Sequence, residues 1–262
     1  MGLAFGRAGS GPPLLLLHGL GHRRQAWDPV LGLLTPHREV ITVDLPGHGA
    51  SPPLRTGDGQ NAVVAIADEL GELLSTLGLA RPHVAGNSLG GALALVLAAR
   101  GQAASATALS PAGFPNRRYQ IAYARGFFEF AVATSSALRN AAPRLTRGTA
   151  GRALLFGMLV ARPGLLSAEQ ASGDVAGIIQ TRPVIRAVFR TFTPFTAAIP
   201  DGVPVTVAWG AKDRLLSPAN ARVVRQRLPQ ARLMALPGCG HVPMTDDPEL
   251  VARILLDGSS LA

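Results

Sequence analysis

The sequence predicts an α/β protein built on a mostly parallel, twisted sheet with helices on both faces, interrupted by one inserted helical segment. Three observations carry this reading. Short apolar or β-branched runs alternate with longer stretches of helical periodicity from Leu14 to Leu109. The alternation stops at Ser110-Pro111-Ala112-Gly113, and it resumes at Pro204.

Leu14 to Leu17 is an apolar run bounded by Pro13 and His18-Gly19, and Val40 to Val43 is a β-branched run ending at Asp44-Leu45-Pro46-Gly47; both read as buried strands. From Asn61 to Leu77 the apolar residues Val63, Ile66, Ala67, Leu70, Leu73, Leu74 and Leu77 recur at three and four, which predicts a helix stopped by Gly78. A strand follows at His83 to Ala85, then a helix from Leu89 to Arg100 closed by Gly101, and a strand at Ser105 to Leu109. Strand, helix, strand, helix is the pattern of a parallel sheet covered on both sides. Between Gly113 and Ile199 only helix-like patches stand out, at Gly126 to Ala137 and Gly151 to Val160, split by Pro143, Pro163, Pro183 and Pro194. Beyond them come a strand at Pro204 to Trp209, a helix at Pro218 to Leu228, a strand at Ala231 to Leu236 and a helix at Pro248 to Leu256.

Charge is concentrated in the insertion. It holds eleven arginines against Glu129, Glu169 and Asp174, so it carries +8 of the chain's net +9, and it also holds eight of the nine phenylalanines. Lys212 is the only lysine, so the positive charge is almost entirely arginine. That bias fits coding composition as well as a partner, and nucleic acid is not expected. No apolar run reaches the roughly 18 residues of a membrane span. The start, MGLAFGRAGSGPP, has no signal-peptide core, and Gly6 stands where a myristoylation motif needs Ser or Thr. A cytoplasmic protein is expected. The single cysteine, Cys239, excludes an internal disulfide and a cysteine-rich zinc cluster, and is read as a small space-filling residue.

The chemistry centres on Gly86-Asn87-Ser88-Leu89-Gly90, which falls where a strand turns into a helix. A sharp turn there holds a serine in a strained conformation at the carboxyl edge of the sheet, and Gly86 and Gly90 suit a close crossing of strand and helix. A serine hydroxyl needs a base, and the base needs an orienting partner. Of six histidines, His241 follows the last strand, where a parallel sheet places its ligands. His18 and His48 lie in glycine turns and are read as loop-holding; His22, His37 and His83 are read as surface or structural. Asp213 follows the preceding strand and is the expected acid, with Asp44 as the weaker candidate.

The order Ser88, Asp213, His241, with these spacings, resembles the α/β-hydrolase family. Leu14 to Gly21 looks like that family's first buried strand and oxyanion loop, and Asp44-Leu45-Pro46-Gly47-His48-Gly49-Ala50-Ser51 looks like its D-x-x-G-x-G-x-S turn. Five motifs in the family's order run from about residue 12 to 250. The resemblance implies an α/β-hydrolase core from residues 1–112 and 200–262 and a helical cap, or lid, over 113–199. Little sequence precedes Leu14, so the two strands usual at the family's N-terminus are expected to be shortened or partly missing.

It further implies that His241 takes the proton of Ser88, that Asp213 fixes the imidazole, and that the backbone N–H groups of Leu20 and Leu89 form the oxyanion hole, each such donor being worth about 3 to 4 kcal/mol in the transition state. No metal and no cofactor is called for. Serine at this position, where epoxide hydrolases and dehalogenases of the family carry aspartate, favours hydrolysis of a carboxylic ester, thioester or lactone. Hydrolysis of carbon–carbon bonds in ring-fission products is the alternative; those enzymes usually have tryptophan after the catalytic histidine, where Val242 stands. An acyltransferase, a cofactor-free peroxidase and a small-molecule receptor share the fold. The substrate-binding residues are not assigned. A phenylalanine-rich cap suggests an apolar acyl or aromatic substrate, and its basic surface an anionic substrate or an acidic carrier protein.

Overall fold

In the computed structural model of the chain, residues 2–57 and 59–260 are described. Strand β1 (Phe5–Ala8) and strand β2 (Pro13–Leu17) precede helix α1 (Asp28–Leu34), β3 (Glu39–Val43) and α2 (Ala62–Thr76). Then come β4 (His83–Asn87), α3 (Leu89–Ala99) and β5 (Ser105–Leu109). Five helices follow without a strand: α4 (Tyr119–Leu138), α5 (Ala142–Leu145), α6 (Thr149–Phe156), α7 (Ala168–Gln180) and α8 (Arg182–Arg190). The chain closes with β6 (Val205–Gly210), α9 (Ala221–Arg227), β7 (Arg232–Leu236), α10 (Pro243–Asp246) and α11 (Pro248–Gly258).

The seven strands form one sheet in the order β1-β3-β2-β4-β5-β6-β7, parallel except for β1, which runs antiparallel along β3. The leucines of β2 show why an unbroken apolar run is needed at the centre. Alternate side chains point to opposite faces, so Leu15 and Leu17 enter one core, with Ile41, Val43 and Leu70, while Leu14 and Leu16 enter the other, with Trp27, Val40 and Leu255. All four leucines are buried, each contributing about 1.5 to 3 kcal/mol relative to exposure.

Helix boundaries follow local chemistry. Asn61 caps α2 by accepting from Val63 N and Val64 N, and Gly78, at φ 68°, ends that helix's last turn. Asp247 caps α11 in the same way, with Pro248 in the first turn. The register then sets the stage for the site. Leu17 lies opposite Gly86, Asn87 opposite Leu109 and Gly210 opposite Leu236, so β2, β4, β5, β6 and β7 all end at one edge of the sheet. The loops beginning at His18, Ser88, Ala211 and Pro237 therefore share that edge, where open parallel sheets place their ligands.

Candidate active site

Ser88 sits between β4 and α3 with φ 56° and ψ −114°, outside the regions that a residue with a Cβ favours. Its surroundings enforce this. A Cβ on Gly86 would lie 2.2 Å from the backbone of Gly90, and one on Gly90 would lie 2.0 Å from Leu17 O, so strand and helix cross at a distance only glycine permits. The Ser88 N–H donates to Leu109 O at 2.9 Å, and Ser88 O accepts from Ala92 N and Ala112 N. The residue is thereby clamped from β5 and from its own helix.

Asp213 and His241 meet. The Nδ1–H of His241 donates to Asp213 Oδ2 at 2.8 Å, and the other carboxylate oxygen accepts from Leu215 N and Leu216 N at 2.9 and 2.8 Å. Both side chains are buried. Three hydrogen bonds fix the carboxylate, and the proton on Nδ1 leaves Nε2 as the basic nitrogen. The His241 loop is tied to the serine turn by Asn87, whose Nδ2 donates to His241 O at 2.8 Å and to Leu109 O at 3.2 Å. Among the described residues, no hydrogen bond joins the Ser88 hydroxyl to the imidazole. The hydroxyl swings on one rotatable bond, and such contacts commonly tighten only around a substrate.

The loop after β2 is held by two neutral histidines. His18 accepts from Leu45 N through Nε2 and donates to Gly19 O through Nδ1; His48 accepts from Gly21 N through Nε2 and donates to Pro46 O. A Cβ on Gly19 would stand 3.3 Å from Ser88 Cβ, so this loop lies against the serine. Leu20 and Leu89, the residues whose N–H groups the sequence singled out, wall the same cavity as Ser88. Asp44 is committed elsewhere. Its carboxylate accepts from Arg24 N and Ala50 N and pairs with the Arg24 guanidinium, which fixes the following turn and removes it as the acid partner of His241.

Burial lowers the pKa of His48 from 6.5 to about 4, and burial followed by the neighbouring His48 pushes His18 well below its usual value. The unfolded chain therefore binds protons that the folded chain refuses between pH 6.5 and about 4. Stability is full above this window and falls as pH drops through it, by about 3 kcal/mol for His48 alone. A thermal-unfolding series across the window is expected to show a steadily falling midpoint; a flat midpoint would contradict this protonation state.

Ser88 opens on a cavity of about 70 Å³ whose wall is almost wholly apolar, including Phe114, Ile121, Phe128, Phe189, Phe192 and Leu215. A second space of about 220 Å³, bounded by Leu20, Phe128, Phe130, Leu154, Met158 and Asp174 among others, shares Leu20 and Phe128 with the first. Helices α4, α7 and α8 supply much of these walls.

Four features escaped the sequence reading. Asn87 is one. Asp246 is another: buried, it accepts from Gly240 N at 2.7 Å and from Ala161 N and Arg162 N at 3.0 and 2.6 Å, binding the His241 loop to the inserted helices. His22, read as surface or structural, instead borders the second cavity, with its Nδ1 buried and unpartnered and its pKa lowered by burial. Asp174, on α7, lies in the same wall, its pKa raised by burial, and accepts from Arg23 Nε at 3.4 Å. Asn87 and Asp246 work mainly through backbone partners, which leave no residue pattern to find. Cys239 is buried, and burial raises its thiol to about 11, which suits a space-filling role and not a thiolate nucleophile.

The chain is 30% identical over 253 residues to the dihydrolipoyllysine-residue acetyltransferase component of an acetoin cleaving system from Pseudomonas putida, covering 94% of this chain and 63% of that one. It is 26% identical over 251 residues to lipase 3 of Moraxella sp. (strain TA144), covering 90% and 74% respectively. The crystal structure of a membrane phospholipase A, a bacterial virulence factor, superposes with a TM-score of 0.76 at 27% identity, covering 99% of this chain and 84% of that one. Residues 14–254, from β2 to the last helix, match one family throughout, and the chain belongs to the alpha/beta hydrolase family.

Proposed function

We propose that the chain is a serine hydrolase that cleaves a carboxylic ester, thioester or lactone through an acyl-enzyme, with Ser88 as nucleophile, His241 as base and Asp213 as its orienting acid. One observation carries the reading. The hydrogen-bonded Asp213–His241 pair is tied through Asn87 to a strained serine that faces an apolar cavity. The likeness to a lipase and to a phospholipase A supports the same class of reaction.

His241 Nε2 takes the hydroxyl proton as Ser88 Oγ bonds to the carbonyl carbon, and the carbonyl π electrons move to oxygen. The N–H groups of Leu20 and Leu89 receive that oxyanion. Its collapse breaks the bond to the leaving oxygen or sulfur, which takes the proton from His241. Water then gives a proton to His241 as its oxygen bonds to the acyl carbon, and collapse of this second intermediate breaks the bond to Ser88 Oγ, which takes the proton back from His241 as the acid leaves. Asp213 stays ionised and stabilises the imidazolium. Residues 113–199 act as the cap that supplies the apolar wall.

A series of nitrophenyl esters of rising acyl length tests the substrate class. Medium to long acyl chains are expected to have at least about tenfold higher kcat/KM than acetate, since each buried methylene adds about 0.8 kcal/mol where the chain is taken up. A preference for acetate, or for small polar acyl groups, would overturn the apolar-acyl assignment.

A further inference from the structure

The exposed apolar side chains are unevenly distributed. Of nine large hydrophobic residues exposed among the described residues, six lie in the inserted segment, residues 113–199: Tyr119, Tyr123, Phe130, Leu154, Met158 and Leu165. Scattered singly, they would need no explanation. Three are not scattered. Phe130, 71% exposed, Leu154, 76% exposed, and Met158 all border the second cavity, so they form an apolar rim around its mouth. On α4, Tyr119, Tyr123 and Phe130 are spaced by four and seven, which sets them along one side of the helix.

The same segment holds ten exposed arginines, Arg152 alone being buried, and +8 of the net charge; the rest of the chain is nearly neutral. An acidic protein would satisfy the charge. It would not explain bare aromatic and aliphatic side chains around an opening, which gain from contact with an apolar phase. An anionic lipid surface supplies both: its headgroups attract the guanidinium groups, and the boundary of its acyl chains receives the apolar side chains. No helix among the described residues is long and apolar enough to span a bilayer, so the association would be peripheral.

The geometry points to a peripheral docking surface on the inserted helices, which seats the Phe130–Leu154–Met158 rim in an anionic lipid leaflet. The second cavity adjoins the Ser88 cavity, with Leu20 and Phe128 in both walls, so docking there brings the leaflet next to the proposed nucleophile's cavity.

The test uses the full chain carrying Ser88→Ala, so that binding is read apart from any turnover and stands or falls independently of the hydrolase reading. Sedimentation with vesicles of phosphatidylcholine mixed with phosphatidylglycerol is expected to show binding more than about tenfold tighter than with phosphatidylcholine alone, and weakened by salt. Adding Phe130→Ser and Leu154→Ser is expected to lower binding by a further tenfold or so while the unfolding temperature stays unchanged, because both side chains lie outside the core. A second variant keeps the rim apolar. Trp27 and Trp209 are buried, so emission from Phe130→Trp is expected to shift to the blue on adding the anionic vesicles. Absence of vesicle binding, binding indifferent to the Phe130 and Leu154 changes, an unshifted tryptophan, or binding to polyglutamate in place of vesicles would each overturn the proposal.

Discussion

Ser88→Ala is expected to lower ester turnover by about 10⁴- to 10⁶-fold while leaving the fold intact. The residual rate comes from the loop of Leu20 and from binding in the apolar cavity, neither of which the substitution touches. A companion variant separates chemistry from architecture. Because residue 88 is held at φ 56°, Ser88→Gly relieves backbone strain of about 1 to 3 kcal/mol and is expected to unfold at a temperature no lower than the native chain, yet to be as inactive as the alanine variant. Steady-state kinetics with thermal unfolding of the three proteins checks this. Activity retained in either variant would remove Ser88 from the reaction.

Asp213→Asn is expected to cost about 10⁴-fold in kcat, with a much smaller change in KM, and the hydrogen bonds around the carboxylate explain why. Oδ1 accepts from two backbone N–H groups, those of Leu215 and Leu216, so the amide oxygen of asparagine stays in that place. The amide NH₂ then faces His241 Nδ1, a nitrogen that at present donates to Oδ2. The imidazole must accept there, its proton moves to Nε2, and Nε2 no longer takes the proton of Ser88. The loss arises from the wrong tautomer and not from a displaced side chain. Kinetics together with the imidazole ¹⁵N shifts of His241 measures both halves of the statement; a tautomer unchanged from native, or a kcat within tenfold of it, would contradict the argument.

How much of this the sequence disclosed depends on where the physical signal lies. The parallel strands are legible because burial on both faces demands unbroken apolar runs, and the run Ser105 to Leu109 coincides with β5. β1 was not, because Phe5-Gly6-Arg7-Ala8 is a largely exposed edge strand with a glycine inside it, and only its pairing with β3 makes it a strand. The inserted helices were underread for a different reason. Pro143 and Pro183 read as breaks, but each lies in the first turn of a helix, α5 and α8, where a missing N–H costs nothing, and Pro163 opens a single 3-10 turn, Pro163–Leu165. In the candidate site, Ser88, Asp213 and His241 are legible because each follows a strand and each is a residue type that a triad needs. Asn87 and Asp246, which tie the loops together, were invisible because they hold backbone groups from distant segments.

The most direct measurement of the central claim is a covalent one. The native chain, exposed to a fluorophosphonate and digested, is expected to carry one phosphonyl group, on the peptide containing Ser88, and His241→Gln is expected to slow that labelling by at least about a thousandfold at unchanged stability. An adduct on another residue, or equally rapid labelling without the imidazole, would contradict it.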